Sequence, residues 1–465
     1  MATYRERSGS VGLLARTLGV LVVTAIGVWW TVSRLVPDSP SVLLITLDSL
    51  RADALSLYGA ERRTSPNLDE FAQRCYVFDR AFAQHYYTGP GHSSILTSLY
   101  PRSHGVFRNA LVLDGSLETL AEHFRRRRYR TGAIINVGLL NEQFNYQQGF
   151  QHFRYVEGYP EEGEGRNIIA QALEWIGQSG RRPFFCWLHL NYTHSWYDPP
   201  LPFDTLFTGS SEPSRRMLTY YALRKAYADG TLTEEEVAWA RARYDGDIAY
   251  TDDWLGILLG RLLEDGALDH TIIVVTADHG EAFNLRSGRF GHARHLQDEV
   301  LRIPLVLYVP PSVERARSMQ RLDALVQQID IGPTLVELTG GRIPAAFQGR
   351  SMVPLLRGTV VSWHEAIIAG VGREWHPVAV RTDRWKLIQH QEKPTELYDL
   401  SADPSETTNV YDQFPEEARA LEQRLDAWRR ETPERVGVEP EERAPGEVRE
   451  VLRNAGYLSE ETDGL

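Results

Sequence analysis

Carboxylates and histidines stand at the ends of apolar runs in this 465-residue chain. Asp48 closes "SVLLITLD", Asp278 and His279 close "IIVVTADH", and His189 and His194 lie at or just after "FFCWL". Ligand sites of open α/β folds lie beyond the carboxyl ends of strands. Several such residues at separate strand ends therefore mark a candidate site. Thr88 opens a different question. It lies in "YYTGPGHSSILTSLYPRSHGV", residues 86–106, just upstream of a short apolar run with helical character. Read locally, its hydroxyl is an N-cap. The same position suits a nucleophile or an anion clamp, because helix N-termini present unpaired N–H groups.

The elements that must position these residues alternate along the chain. "SVLLITLD", "YRTGAIINVG", "PFFCWLHLN", "HTIIVVTADHGE" and "LRIPLVLYVP" read as strands. Their apolar stretches lack polar alternation, which fits a sheet covered on both faces. "SLETLAEHFRRR" and "NIIAQALEWIG" read as helices, and Thr233 with Glu236 forms a capping-box pattern before a long helix. A further helix is expected within "RLDALVQQIDIGPTLVELTGG", and the "DDW" of residues 252–254 is expected on a helix surface and its packed face. Strands alternating with helices give an α/β fold with a mixed or mostly parallel sheet. After residue 358 the texture shifts to shorter strands and one helix, "PEEARALEQRLDAWRRE", which reads as a small α+β unit. The charged, Pro- and Gly-rich tail beyond it is expected to be loosely attached and to end in a short helix.

A net charge of −12 argues against a large phosphate-tracking surface and so against a nucleic-acid partner. The run Arg125–Arg128 reads as the solvated last turn of a helix. Two cysteines, Cys75 and Cys186, form neither a zinc-like cluster nor a disulfide scaffold. Residues 17–32, "TLGVLVVTAIGVWWTV", carry no charge and are bracketed by Arg16 and Arg34. This pattern predicts a membrane-spanning signal-anchor. The catalytic body would then lie outside the cytoplasm, with a secreted or periplasmic form as the alternative.

Taken in order, five stretches resemble the sulfatase group of the alkaline phosphatase superfamily. They are "LLITLDSLRADALSLYG", "TGPGHSSILTSLYPRSHGVFRN", "PFFCWLHLNYTHSWYDPP", "YDGDIAYTDDWLG" followed by "VVTADHGE", and "VRTDRWKLI" through "ELYDLSADPSETTN". The resemblance implies an alkaline-phosphatase/sulfatase-like sandwich with a central mixed sheet and a smaller C-terminal α+β subdomain. It implies a divalent metal ion held by Asp48, Asp278, His279 and Thr88. Ca2+ is favoured by the family, with Zn2+, Mn2+ or Mg2+ as alternatives. It places Thr88 at the nucleophile position, His194 and His292 as further catalytic groups, and His92 and Asn109 against the substrate. The formylglycine signature of typical sulfatases is absent. Thr88 stands in place of the convertible cysteine or serine, and His92 in place of the signature arginine. Ser49 follows Asp48 where a second aspartate is common, and is at most a weak ligand. His189 reads as a packed or hydrogen-bonded core residue, and Tyr86 and Tyr87 as pocket wall or packing.

A divalent cation can lower a hydroxyl's pKa and polarise the oxygens of a transferred group. With threonine at the nucleophile position, the sequence favours hydrolysis of a phosphate monoester or diester through a covalent threonine intermediate. The alternatives are a sulfuric ester hydrolase without formylglycine, a membrane phosphoryl-group transferase to a glycan, and a non-catalytic sulfatase-like binding protein. The substrate would be a small-molecule, lipid or glycan ester, with the membrane as partner through the N-terminal helix. The expected organisation is an anchor over 1–36, a catalytic domain over 37–358, the α+β subdomain over 359–432 and the tail over 433–465.

Overall fold

The computed structural model describes residues 39–156, 164–180, 182–194, 197–209, 220–314, 318–373 and 376–440. Its strands are β1 (Ser41–Leu47), β2 (Tyr76–Phe82), β3 (Arg130–Ile135), β4 (His152–Tyr155), β5 (Phe184–Leu190), β6 (Thr271–Ala277), β7 (Ala282–Asn284) and β8 (Arg289–Gly291). These are followed by β9 (Arg302–Ile303), β10 (Leu305–Tyr308), β11 (Gln320–Gln327), β12 (Ile367–Arg373), β13 (His376–Arg381), β14 (Trp385–Gln389) and β15 (Glu396–Asp399). The helices that matter below are α1 (Pro66–Ala72), α2 (Thr88–Thr97), α3 (Leu120–Arg126), α4 (Glu234–Glu264), α5 (Asp298–Leu301), α6 (Ile331–Leu338) and α7 (Pro415–Glu431).

Among the described residues, nine strands form one mixed sheet in the order β11-β2-β10-β6-β1-β5-β3-β4, with β9 paired to β2. The centre is parallel: β1 lies between β5 and β6, and every residue of these three strands is buried. Their content, dominated by Val, Ile, Leu and Phe without polar alternation, is what a sheet covered on both faces requires. β10 runs antiparallel to both β2 and β6, which makes the sheet mixed. A second sheet of four antiparallel strands, β12-β13-β14-β15, carries α7 against it and has its own apolar cluster around Val380, Leu387, Leu425 and Trp428. The fold is therefore an α/β sandwich of the alkaline-phosphatase/sulfatase kind with a smaller C-terminal sheet-and-helix subdomain.

Several local expectations meet a different outcome. α4 starts with the expected Thr233–Glu236 capping box, and α3 carries a second one from Thr119 and Glu122. "RLDALVQQ" is not helical. It forms β11, whose backbone pairs parallel with β2, and only the following segment becomes α6. Helical propensity there is overridden by tertiary pairing. The "DDW" residues divide as expected: Asp253 is on the helix surface, while Asp252 and Trp254 are buried on the packed face, where Asp252 accepts from the backbone N–H groups of Asn67 and Leu68 and so caps α1. The near part of the tail is held in place. Val438 bridges Val112, and Arg435 N–H donates to the Arg102 carbonyl at 2.9 Å. The short helix expected at the end of the tail lies outside the described residues.

The predicted anchor is corrected here. Among the described residues no helix is long and apolar enough to cross a membrane. The apolar run 17–32, on which that expectation rested, lies outside the described residues. An apolar run bracketed by arginines is a pattern of composition. Without a described helix it supports neither a membrane partner nor a body placed outside the cytoplasm, and both are withdrawn.

Candidate active site

Register explains why three of the expected residues meet. Leu47 pairs with Ala277 at the ends of β1 and β6, so the next residues, Asp48 and Asp278, emerge side by side. The Asp48 N–H donates to the Leu190 carbonyl at 3.0 Å, which ties the same corner to β5. Ser49 then turns the chain at φ 55, a left-handed conformation uncommon outside glycine. Its hydroxyl donates to Asp48 Oδ1 at 2.9 Å and its N–H to Asp278 Oδ1 at 3.0 Å. The His279 N–H donates to the same Asp278 oxygen at 2.8 Å. Ser49 therefore orients both carboxylates.

These bonds occupy one oxygen of each aspartate and leave the other bare. Asp48 Oδ2, Asp278 Oδ2 and His279 Nε2 are buried and have no hydrogen-bond partner among the described residues. His279 Nδ1 donates to the Gly280 carbonyl at 2.9 Å, which turns the Nε2 lone pair toward Asp278 Oδ2, 3.5 Å away. One ligand atom from each of Asp48, Asp278 and His279 lies within 4.8 Å of the others. Orphaned buried acceptors are costly, and a shared cation would satisfy all three. The electrostatics agree. Burial, with the neighbouring Asp48 carboxylate, raises the Asp278 carboxyl. Burial would lower His279, but Asp278 and Asp48 outweigh it and raise it. A pocket that pulls protons onto its own ligands carries an excess of negative charge that a divalent metal ion neutralises. The residues fit a divalent-metal site.

Helix α2 points its first turn at this corner. Thr88 is its first helical residue, wholly buried, while Tyr87 occupies the cap position without a side-chain cap bond. The first-turn N–H of Gly89 is instead taken by Asn109 Oδ1 at 2.9 Å. Asn109 Nδ2 has no partner among the described residues. His92 sits one turn on. Its Nδ1 donates to the Thr88 carbonyl at 2.8 Å, and its Nε2 lies 3.2 Å from Thr46 Oγ1. Burial, followed by the neighbouring His189, lowers the His92 pKa to about 3.

The remaining expected histidines line the opposite wall. The His292 ring lies 4.4 Å from that of His279 and 5.5 Å from that of His194. Burial lowers His194 to about 3 and His292 well below its usual value. Tyr87 meets His292 edge-on at 6.2 Å, so it belongs to the wall. Sequence reading passed over Glu281, whose Oε2 lies 3.1 Å from His292 Nδ1. It also passed over Tyr146, whose hydroxyl donates to the Gly89 carbonyl at 2.7 Å. A carboxylate two residues past a metal-binding histidine was the one available signal for Glu281. Tyr146 had none.

With this geometry in place, comparison with known proteins settles the family. Residues 40–341 match the family model described as Sulfatase, and residues 288–431 match that of the N-sulphoglucosamine sulphohydrolase C-terminal region. The chain belongs to the sulfatase family. This sulfatase-family hydrolase is 23% identical to an N-acetylglucosamine-6-O-sulfatase of Bacteroides thetaiotaomicron, over 80% of this chain and 82% of that protein. It is 25% identical to the arylsulfatase K of Gallus gallus, over 83% and 82%. In fold it is similar to the phosphonate monoester hydrolase of Agrobacterium radiobacter, with a TM-score of 0.71, 23% identity, and 84% of this chain and 96% of that one covered.

These matches overturn the phosphate-ester reading with its covalent threonine intermediate. That reading rested on the side chain at position 88. A lone hydroxyl at a helix start does not distinguish one tetrahedral anion from another, whereas the sulfatase matches extend over both the catalytic sheet and the C-terminal subdomain.

Proposed function

We propose that this chain hydrolyses sulfuric esters, and does so without a formylglycine. The observation that carries the reading is the buried Asp48–Asp278–His279 cluster in a chain matched to the Sulfatase model over residues 40–341. Asp48, Asp278 and His279 would hold a divalent ion, with Thr88 as a further ligand. When bound, the ion supplies positive charge to the sulfuryl oxygens.

The chain's own residues do the rest. Thr88 holds the anion at the positive N-terminal end of α2. Asn109, His194 and His92's neighbourhood orient it, and His92 keeps the Thr88 backbone in place. Buried, neutral imidazoles add hydrogen bonds without a second full charge, which matches the single charge of a sulfate ester. Water attacks the sulfur, and neutral His292, held by Glu281, accepts the water's proton. The sulfur–oxygen bond to the alcohol breaks, and the same proton passes on to the leaving oxygen. The products are an alcohol and sulfate. We also propose that the boundaries 37–358, 359–432 and 433–465 mark catalytic body, subdomain and tail.

The relatives make a sulfated amino sugar the first natural substrate to try, alongside aryl sulfate. The test is turnover of aryl sulfate, aryl phosphate, bis-aryl phosphate and aryl phosphonate across a metal series with chelator controls. Sulfate turnover that exceeds the others and disappears with chelator is the expected result. Preference for a phosphorus ester, or sulfate turnover unaffected by chelator, would overturn the proposal. The family favours Ca2+ as the ion.

A further inference from the structure

Arg294 lies in the turn after β8, two residues past His292 of the catalytic wall. Its φ is 65, a left-handed conformation that costs a residue other than glycine. Its side chain is exposed and makes no ion pair or hydrogen bond among the described residues, so the whole guanidinium fork is open to a ligand. Pro377, early in β13, and His390, Gln391, Glu392 and Lys393, which follow β14, complete a groove of about 60 Å3 with it. One water takes roughly 10–15 Å3 of such space. The groove therefore has the size of a carboxylate or a sulfate group and not of a sugar ring.

This groove backs onto the catalytic wall. His376, the neighbour of Pro377, has its Nδ1 3.4 Å from the Tyr86 hydroxyl. The Tyr86 ring meets that of Tyr87 edge-on at 4.7 Å, and Tyr87 in turn meets His292. The metal corner and the groove thus lie on two sides of the Tyr86–Tyr87 pair.

The charge of the groove is positive in a chain of net charge −12. Lys393, like Arg294, has no ion pair among the described residues. His390 is engaged, with Nε2 3.4 Å from Glu396 Oε1. Glu392 is the one carboxylate of the lining, against two full cations. A third cation comes from the helix Tyr220–Ala228, which packs on the β7–β8 hairpin: its Tyr227 ring lies 5.9 Å from that of Phe290. Arg224 stands three residues before Tyr227 and so shares its helix face. Burial raises the Tyr87 phenol, and the charges of Arg294 and then Arg224 oppose that rise. Tyr87 is accordingly flanked by two arginines at the mouth of the site.

We infer that Arg294 and Lys393 form a second anion subsite, with Arg224 adding charge beside it, and that the preferred substrate is a sulfate ester whose alcohol carries a further anionic group, a carboxylate or a second sulfate. The arginine fork matches either oxyanion in bidentate fashion, and lysine adds a point charge. Because Tyr86 and Tyr87 stand between the groove and the metal corner, that second charge is carried away from the scissile ester. The inference rests on the sulfuric-ester reading proposed above.

The test compares kcat/KM of the full chain on pairs of substrates that differ by one charge. One pair is glucosamine 6-O-sulfate in its N-acetyl and N-sulfo forms, which probes a second sulfate. The other is an O-sulfated uronic acid and its methyl ester, which probes a carboxylate. Wild type should prefer the doubly charged member of at least one pair by about 10-fold, through KM, and the preference should shrink as salt is raised, since exposed charges are screened. Arg294→Gln and Lys393→Gln should each cut the preference by about threefold, the scale of an exposed charge contact. Arg294→Lys should keep more of it than Arg294→Gln. No preference in wild type, or equal losses on both members of each pair, overturns the subsite. If wild type turns over no sulfate ester, the sulfuric-ester reading fails, and calorimetric binding of the N-sulfo 6-O-sulfate to wild type and Arg294→Gln decides the subsite: weaker binding by the variant supports it, and equal binding removes it.

Discussion

Gly91 of α2 packs directly on Asp278: a Cβ added at Gly91 would lie 2.9 Å from the Asp278 carbonyl oxygen and 3.2 Å from its Cβ. The helix that carries Thr88 is thereby held against the strand end that carries two metal-ligating side chains. Neither backbone can give way cheaply, because Asp278 is fixed by Ser49 and by Gln328, whose side chain donates to its carbonyl at 2.9 Å.

Gly91→Ala should therefore damage the site without removing a functional group. Overpacking of this kind costs about 1–3 kcal/mol. We expect a lower melting temperature together with weaker metal binding. A variant that melts lower but binds metal like wild type would mean that the helix and the metal corner are not coupled through this contact.

Thr88 and Asn109 separate capping from chemistry. Tyr87, not Thr88, holds the cap position of α2, and Asn109 takes the Gly89 N–H. Thr88→Ala should still fold cooperatively and lower sulfate-ester turnover by about 100-fold or more, the usual cost of losing a group that holds developing charge. Asn109→Ala should cost about 1 kcal/mol of stability as well, because it removes the oxygen that caps α2. Thermal melts and steady-state rates on both variants check this. Near-normal turnover in folded Thr88→Ala would exclude its hydroxyl from the reaction.

Sequence and structure agree where chemistry coincides with a strand end. Asp48, Asp278 and His279 follow runs without polar alternation, so their polarity stands out, and their meeting follows from a parallel register. His189 sits inside such a run. It is buried there, with its Nδ1 2.9 Å from Thr46 Oγ1 of β1, as a hydrogen-bonded residue of the strand core would be. The helix expected in "RLDALVQQIDIGPTLVELTGG" is present as α6, but β11 at the start of that stretch was not foreseen. "RLDALVQQ" has helical composition, and only β2, more than two hundred residues upstream in sequence, makes it a strand. Threonine at position 88 was over-read in the other direction, since one side chain was asked to decide between two ester classes.

Lys386 of β14 joins the small sheet to the catalytic body. It is wholly buried, with Nζ 2.8 Å from Asp298 Oδ1 and 2.8 Å from Glu406 Oε1. Arg381 Nε reaches the other Asp298 oxygen at 3.1 Å. Removing one partner of a buried ion pair leaves a charge without compensation, at a cost of about 3–5 kcal/mol. Lys386→Met should therefore destabilise the protein by that amount in denaturant unfolding. An effect below about 1 kcal/mol would be that of an exposed pair and would contradict the burial.

The two carboxylates that share Lys386 should give stability opposite pH dependences. Burial would raise the Asp298 carboxyl, but Lys386 and Arg381 outweigh it and hold it down to about 2. A depressed carboxyl stabilises above its unfolded pKa of about 3.9, and that contribution is lost as pH falls toward 2. At Glu406 burial wins over Lys386, with the Asp298 charge adding to it, and pushes the carboxyl up to about 7. A raised carboxyl contributes stability that is fully present below its unfolded pKa of about 4.3 and is lost as pH rises through 7. Melting temperature, followed from pH 2 to pH 9, should then show a different limb flattened in each variant relative to wild type. Asp298→Asn should lose pH dependence between about 4 and 2, and Glu406→Gln between about 4 and 7. Wild type and both variants tracking in parallel over the whole range would mean that neither carboxyl is shifted, and that Lys386 does not divide its charge between them.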